Sequence, residues 1–347
     1  MASYHFSVKD KPKGYASSHY LYISRLEIYQ HVRSKSEEVL ECVVAGRCMP
    51  SWANDPTDFW QAADAHERAN AKSYMEYEFA LPNEFTAEQR QTLVETFLSE
   101  TVAKQQYPHS YAIHNVKSRI SGEDQPHCHL MFSLRADDGV ERTCEQYFKR
   151  FNRKDPSKGG ARKKQLQEGF DNFSDFLMHI RKQWEDVLNV ALQKYAPTIS
   201  YELDGQSITV LNRVSASSYE SYNLKHGTLY LPEPKLGVGQ QNHSEAYLAQ
   251  IKLIREHNAK EQEMEVRQQQ KEHRAEQVLL YAVDDQPYTT PEVSYLIQQS
   301  DSIPDHDISS IQQQQHQVEK VYAGQSLKSA FNHHKNVKPN DGFEFSM

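Results

Sequence analysis

Three runs of eight or nine residues limit what this chain can fold into: SYMEYEFAL (73–81), HSYAIHNV (109–116) and HCHLMFSL (127–134). The first alternates with a period of two, the spacing of a strand with one buried face, and the other two are strand-like in composition. Turn-rich SRISGEDQP lies between the second and third, which predicts an antiparallel hairpin with a long loop. SYHFSV (3–8) predicts a further strand, and Gly14 ends the turn after it. Helices are predicted between these runs, over 16–31, over 55–72 with Asp55 as cap and Pro56 at the first helical position, and over 85–106 behind the capping box of Thr86 and Gln89. Thr143 with Gln146 repeats the box before CEQYFKRF. Over 172–195, Phe173, Phe176, Ile180, Trp184, Leu188 and Leu192 recur at helical spacing, an amphipathic helix for the sheet to pack on. This order predicts an α+β sandwich, helices lying on an antiparallel sheet.

A chain of 347 residues has ample material for a hydrophobic core, so a small disulfide scaffold is excluded. Cys42, Cys48, Cys128 and Cys144 form no zinc-finger spacing, which fits reduced thiols in a cytoplasmic protein. The N-terminus lacks the apolar core of a signal peptide, and no apolar run approaches the ~20 residues needed to span a bilayer, so no membrane insertion is expected. Of the net charge of −8, residues 243–347 contribute −6, with 10 Lys and Arg against 16 Asp and Glu. That polar, Gln-rich stretch reads as a helical or disordered tail with too few large apolar residues for a second core. Residues 1–195 then form the compact domain and 196–242 an extension that closes it. KRFNRKDPSKGGARKK (149–164) runs against the acidic trend with eight basic side chains and one acidic. Its Gly-Gly suggests a flexible loop that tracks a phosphate backbone, and the plainer alternative is a solvated charged loop.

His127 and His129 are two apart on a strand, so both imidazoles face one side while Cys128 faces the other. If the hairpin pairs as expected, His114 brings a third imidazole to that side. Three neutral nitrogens leave coordination positions open on a divalent ion, as a catalytic metal requires. With 17 histidines in the chain, an H-x-H also arises readily by chance. Glu76 and Glu78 share a strand face too. Each is suited to accept the second N–H of a liganding histidine, although a solvated outer face of that strand is the plainer reading. On a helix Tyr15, Tyr22 and Tyr29 fall on one side and Tyr20 points away from Tyr22.

Taken together, MASYHFSVK, YISRLEIY, DFWQAADAHERANAK, YEFALP, YAIH, PHCHLMFS and YFKRFNRKDPSKGGA give residues 1–195 a clear likeness. The chain resembles the MobA/MobL plasmid mobilisation relaxases of the His-hydrophobic-His nuclease superfamily. The resemblance implies a five-stranded antiparallel sheet with flanking helices and a divalent ion, Mn²⁺ or Mg²⁺, on His114, His127 and His129. It makes Tyr22 the nucleophile that nicks single-stranded DNA at a transfer origin and forms a 5′-phosphotyrosyl link. Tyr20 competes for that role, since a slip of two residues exchanges them. Arg25, one turn on, suits the phenolate or the phosphate, or is a plain surface arginine. Lys149, Arg150, Arg153, Lys158, Arg162, Lys163 and Lys164 are the expected backbone contacts. The tail would meet accessory mobilisation proteins or a type IV secretion coupling protein. Two other readings share these residues: a rolling-circle replication initiator with the same chemistry, and a non-catalytic DNA-binding mobilisation protein in which Tyr22 only packs.

Overall fold

The computed structural model describes residues 4–26, 39–117, 122–234 and 245–283. Strands β1 (Phe6–Pro12), β2 (Val39–Arg47), β3 (Lys72–Ala80), β4 (His109–Lys117) and β5 (Asp124–Phe132) pair antiparallel into one sheet in the order β1-β3-β5-β4-β2. The β4–β5 hairpin has the expected form, with His109 opposite Phe132 and His114 opposite His127. β3 lies on the other side of β5, with Glu78 opposite His129. The two edges differ from expectation. β1 continues through Lys9, Asp10 and Lys11 to Pro12, charged and proline positions that an edge strand tolerates. β2 is not predicted by alternation, because register shifts at Leu40/Cys42 and Val44/Arg47 break its parity.

Alternate residues send the two faces of the sheet into separate cores. Phe6, Tyr77, Phe79, Ile113, Leu130 and Phe132 pack under the helices α3 (Ala87–Glu100) and α5 (Phe173–Tyr195). Trp184 of α5 is fully buried there, its ring centroid 4.4 Å from Phe79 and 5.2 Å from Phe97. Removing so large a side chain from water contributes about 1.5–3 kcal/mol. The opposite face, through Tyr74, Ala112 and Met131, meets α1 (Ala16–Ser24) and α2 (Pro56–His66) with their Tyr20, Ile23, Phe59 and Trp60. The histidines lie on this second face.

Local chemistry sets the helix ends. Thr86 and Gln89 form the full capping box. Tyr15 offers α1 no side-chain cap, so Asp64 of α2 accepts from the backbone N–H groups of Gly14, Ala16 and Ser17 at 2.8, 3.0 and 2.8 Å. α1 stops at Ser24 because Arg25 turns left-handed at φ 53°, short of the expected Gln30 and His31; those two residues and Tyr29 lie outside the described segments. Thr143 caps a helix of one turn, α4 (Cys144–Tyr147), because the chain beyond it folds back on itself.

Contacts divide the chain into a unit that runs to Ile199 and includes Leu211–Ala216, and a unit formed by Ser200–Val210 and the chain from Ser217 on. β6 (Thr198–Leu203) and β7 (Gln206–Leu211) form a hairpin, followed by α6 (Tyr219–His226) and α7 (Glu245–Val283). Within the second unit Glu265 of α7 accepts from the Tyr222 and Tyr230 hydroxyls, and Val266 is buried with Leu203 and Ile208. α7 thus has one covered face, within the stretch that its polar composition marks as a helical or disordered tail. No described helix is long and apolar enough to cross a membrane.

Candidate metal centre

Strand parity and register bring His114, His127 and His129 together on the α1 face of the sheet. Their ring centroids lie 5.7, 5.1 and 5.0 Å apart, and one ring nitrogen from each falls within 4.8 Å of the others. Each ring also gives one nitrogen to a protein acceptor. His114 Nε2 lies 2.7 Å from the Ile23 carbonyl, His127 Nδ1 2.9 Å from the Gln125 carbonyl, and His129 Nδ1 2.7 Å from Glu76 Oε1. A carbonyl or carboxylate oxygen only accepts, so those nitrogens carry the protons. In the neutral rings the lone pairs then sit on His114 Nδ1, His127 Nε2 and His129 Nε2. Fixing each ring's outer N–H in this way is what a three-imidazole metal site needs. Burial lowers the His127 pKa, and the neighbouring His129 and His114 lower it further, which favours the neutral ligand form.

Glu76 departs from the solvated face that its sequence position allowed, since it is 3% exposed. Burial would raise its carboxyl, but hydrogen bonds from His129 and His19 outweigh burial and hold it well below the ordinary carboxylate range. Glu78 stays partly exposed, pairs with Lys9, and lies 3.8 Å from His129 Nδ1. Here too burial raises the carboxyl, while Lys9 and His129 bring it below its usual value. His19 escaped the sequence reading. Its Nε2 lies 3.0 Å from Glu76 Oε1 and its ring stacks on Tyr74 at 5.0 Å. The available signal was its place one turn before Tyr22 in α1.

The two tyrosines of that helix have different surroundings. Tyr20 is 2% exposed inside the α1–α2 core, and burial raises its pKa. Tyr22 is 37% exposed, its ring 6.3 Å from that of His19 and under the Arg25 guanidinium at 4.7 Å.

The basic stretch is more ordered than a flexible loop. A Cβ on Gly160 would lie 2.1 Å from the Lys149 carbonyl oxygen, and one on Gly159 would lie 2.3 Å from the Asn152 nitrogen. The glycines therefore permit close backbone approach, a role different from the flexibility read from sequence. Underneath lies Arg135, 2% exposed, which donates to the Ala161, Phe148 and Lys149 carbonyls at 2.7, 2.7 and 3.1 Å. It also donates to the Tyr147 carbonyl at 3.3 Å and to Glu67, at 2.9 Å to each carboxylate oxygen. Nothing in the sequence pairs residues 68 positions apart. Lys163 belongs to this buried network through Glu67 at 3.1 Å, and burial lowers its pKa despite the carboxylate. Lys164 donates to Gln105 at 2.7 Å. Lys149, Arg150, Arg153, Lys158 and Arg162 remain exposed, with Lys149 on Glu145, Lys158 on Asp155 and Arg162 on Glu168.

A family profile described as MobA/MobL matches residues 13–215. Among curated proteins, the 43 kDa relaxation protein of Salmonella typhimurium is 42% identical over 196 residues, 56% of this chain and 52% of that protein. Mobilization protein A of Escherichia coli is 40% identical over 146 residues, 42% of this chain and 19% of that protein. The matches thus span about half of the first relative and about a fifth of the second. Of solved structures, a chain described under the molecular basis of vancomycin resistance transfer in Staphylococcus aureus aligns with TM-score 0.40 and 20% identity, covering 63% of this chain and 100% of that one. TrwC complexed with a 27-mer DNA comprising the recognition hairpin and the cleavage site aligns with TM-score 0.32 and 11% identity, covering 92% and 99%.

Proposed function

Because this chain belongs to the MobA/MobL family, we propose that it is a cytoplasmic DNA relaxase that nicks one strand at a plasmid transfer origin. The observation that carries this reading is the three-histidine cluster with every outer N–H committed to the protein, beside a helix that exposes Tyr22 and buries Tyr20. That contrast in burial supports Tyr22 as the nucleophile. His114, His127 and His129 would hold a divalent ion, Mn²⁺ or Mg²⁺, which supplies electrostatic stabilisation of the charge that gathers on the phosphate oxygens.

The chain's own residues do the rest. The Tyr22 oxygen attacks the scissile phosphorus in line; the new bond joins that oxygen to phosphorus, and the bond to the 3′-oxygen breaks. The phenolic proton is lost and the leaving oxygen ends as a 3′-hydroxyl, while the 5′-phosphate stays on the protein. One phosphodiester replaces another, so the step runs in reverse to rejoin the strand. Arg25 stacks on the Tyr22 ring and places a positive charge beside the forming link. Glu76 fixes the His129 tautomer, and Glu78 with Lys9 adds a second carboxylate beside that ring. Lys149, Arg150, Arg153, Lys158 and Arg162, all exposed, and the half-buried Lys164 are the residues that would meet single-stranded backbone. The acidic residues beyond 243 are the candidate contact for accessory mobilisation proteins and a type IV secretion coupling protein.

The test is incubation of the full chain with supercoiled origin plasmid and Mn²⁺ or Mg²⁺, followed by denaturing gels. A protein–DNA adduct is expected for the wild type and for Tyr20→Phe, and none for Tyr22→Phe. An adduct that survives Tyr22→Phe refutes the assignment.

A further inference from the structure

Two of the three histidines reach back to the helix that carries Tyr22. His114 donates from Nε2 to the carbonyl of Ile23, the residue after it, at 2.7 Å. His129 bonds Glu76 Oε1 at 2.7 Å, and the same oxygen accepts at 3.0 Å from His19, three residues before Tyr22. A carboxylate oxygen has two lone pairs, so one atom joins the sheet histidine to the helix histidine. Both partners are largely shielded, with the Glu76 side chain 4% and the His19 side chain 20% exposed, so water competes weakly for these bonds. α1 is nine residues long, too short to hold a helix on local propensity, and depends on tertiary contacts. Asp64 pins its first turn and Tyr20 and Ile23 pack into the α1–α2 core, while the His19 and Ile23 bonds tie the turn that carries Tyr22 to the histidines.

Building on the relaxase reading above, we infer that His19 is a positioning residue for Tyr22. Together with the His114–Ile23 bond, its link through Glu76 fixes α1 on the histidine cluster. The rings that would hold the ion thereby also set the approach of the phenol. His19 has no contact with DNA in this scheme; it acts through the helix, and stacking on Tyr74 keeps its ring in the plane that reaches Glu76. His19, Glu76 and His129 also satisfy the spacing of a cation site. The 2.7 and 3.0 Å separations are hydrogen-bond lengths, and an ion there would have to displace the His129 proton that the shared oxygen accepts.

The experiment compares full-length wild type, His19→Ala and His19→Gln, the last retaining an N–H donor. Three quantities are read: amide hydrogen exchange of α1 without metal, single-turnover adduct formation on a single-stranded origin oligonucleotide at saturating Mn²⁺, and oligonucleotide affinity by anisotropy. For His19→Ala, α1 exchange should quicken about tenfold and adduct formation should slow about 10- to 100-fold, with affinity within about twofold of wild type. His19→Gln should recover most of both losses. The inference is overturned if α1 exchange is unchanged in His19→Ala, if affinity falls in step with rate, if His19→Gln is no better than His19→Ala, or if wild type binds a second Mn²⁺ that His19→Ala loses. Should wild type form no adduct at all, the relaxase reading fails, and the exchange comparison alone decides whether the tether exists.

Discussion

Replacing Glu67 with glutamine keeps the shape of a side chain that is 1% exposed while removing the charge that faces Arg135 and Lys163. Two cations then remain in the interior without their counter-charge. Breaking a buried pair in this way costs about 3–5 kcal/mol, and the lower end is expected because the amide oxygen still accepts one guanidinium bond. Lys163, with 18% of its side chain exposed, can also recover some hydration. Urea unfolding followed by circular dichroism should show the midpoint falling with an unchanged slope, a loss of about 3 kcal/mol. Acidity supplies a second reading of the same ion pair. Burial alone raises the Glu67 carboxyl, but the hydrogen bonds and charge of Arg135, and then Lys163, bring it below its ordinary value. A carboxyl whose folded pKa is depressed stabilises fully above its unfolded pKa and loses that contribution as pH falls through the folded value. Wild type should therefore lose stability below the ordinary carboxylate range through a component that Glu67→Gln lacks. A loss under about 1 kcal/mol, with parallel acid profiles, would mean that solvent screens the site and would refute the reasoning.

His127→Ala should weaken Mn²⁺ binding at least about tenfold by calorimetry on the DNA-free protein, and an unchanged affinity would place the ion elsewhere. Gly160→Ala forces a Cβ to 2.1 Å from a backbone oxygen; thermal unfolding should report a loss of at least about 1–3 kcal/mol, and an unaltered midpoint would mean that the backbone shifts freely. Neutralising Lys149, Arg150 and Arg153 together should reduce the slope of log affinity against log salt by about 0.7 for each phosphate that these side chains neutralise, whereas an unaltered slope would remove this stretch from the DNA path. Lys163→Gln should instead act mainly on stability, because its ammonium is held by Glu67.

What the sequence makes legible depends on whether the signal is local. Tyr77 and Phe79 alternate with Glu76 and Glu78, and Cys128 lies between His127 and His129, so the central strands and the common face of the two histidines follow from parity. His114 joins them because a hairpin fixes its own register. β2 shows the limit: Val39, Leu40 and Val43 are all exposed apolar residues of an edge strand, and its register shifts turn consecutive side chains to unexpected faces. α1 fails differently, since its stop at Arg25 is a backbone conformation that no nearby glycine or proline announces.

The shell around the histidines was the least legible part, and the reason is sequence separation. Glu76 on β3 looked free to face solvent because its burial depends on α1, a helix more than fifty positions earlier, returning His19 to the same oxygen. Arg135 lies outside the basic stretch in sequence, and nothing local announces that Glu67 and the 147–161 carbonyls close around it. In both places a charged side chain is buried only because distant donors and acceptors satisfy it, and an isolated buried charge would be prohibitively costly. The two carboxylates thus have parallel tasks. Glu67 holds the basic stretch against the end of α2, and Glu76 holds the tyrosine helix against the sheet. Neutralising Glu67 should therefore disturb the basic surface and leave the histidine cluster in place, whereas a change at Glu76 should do the reverse.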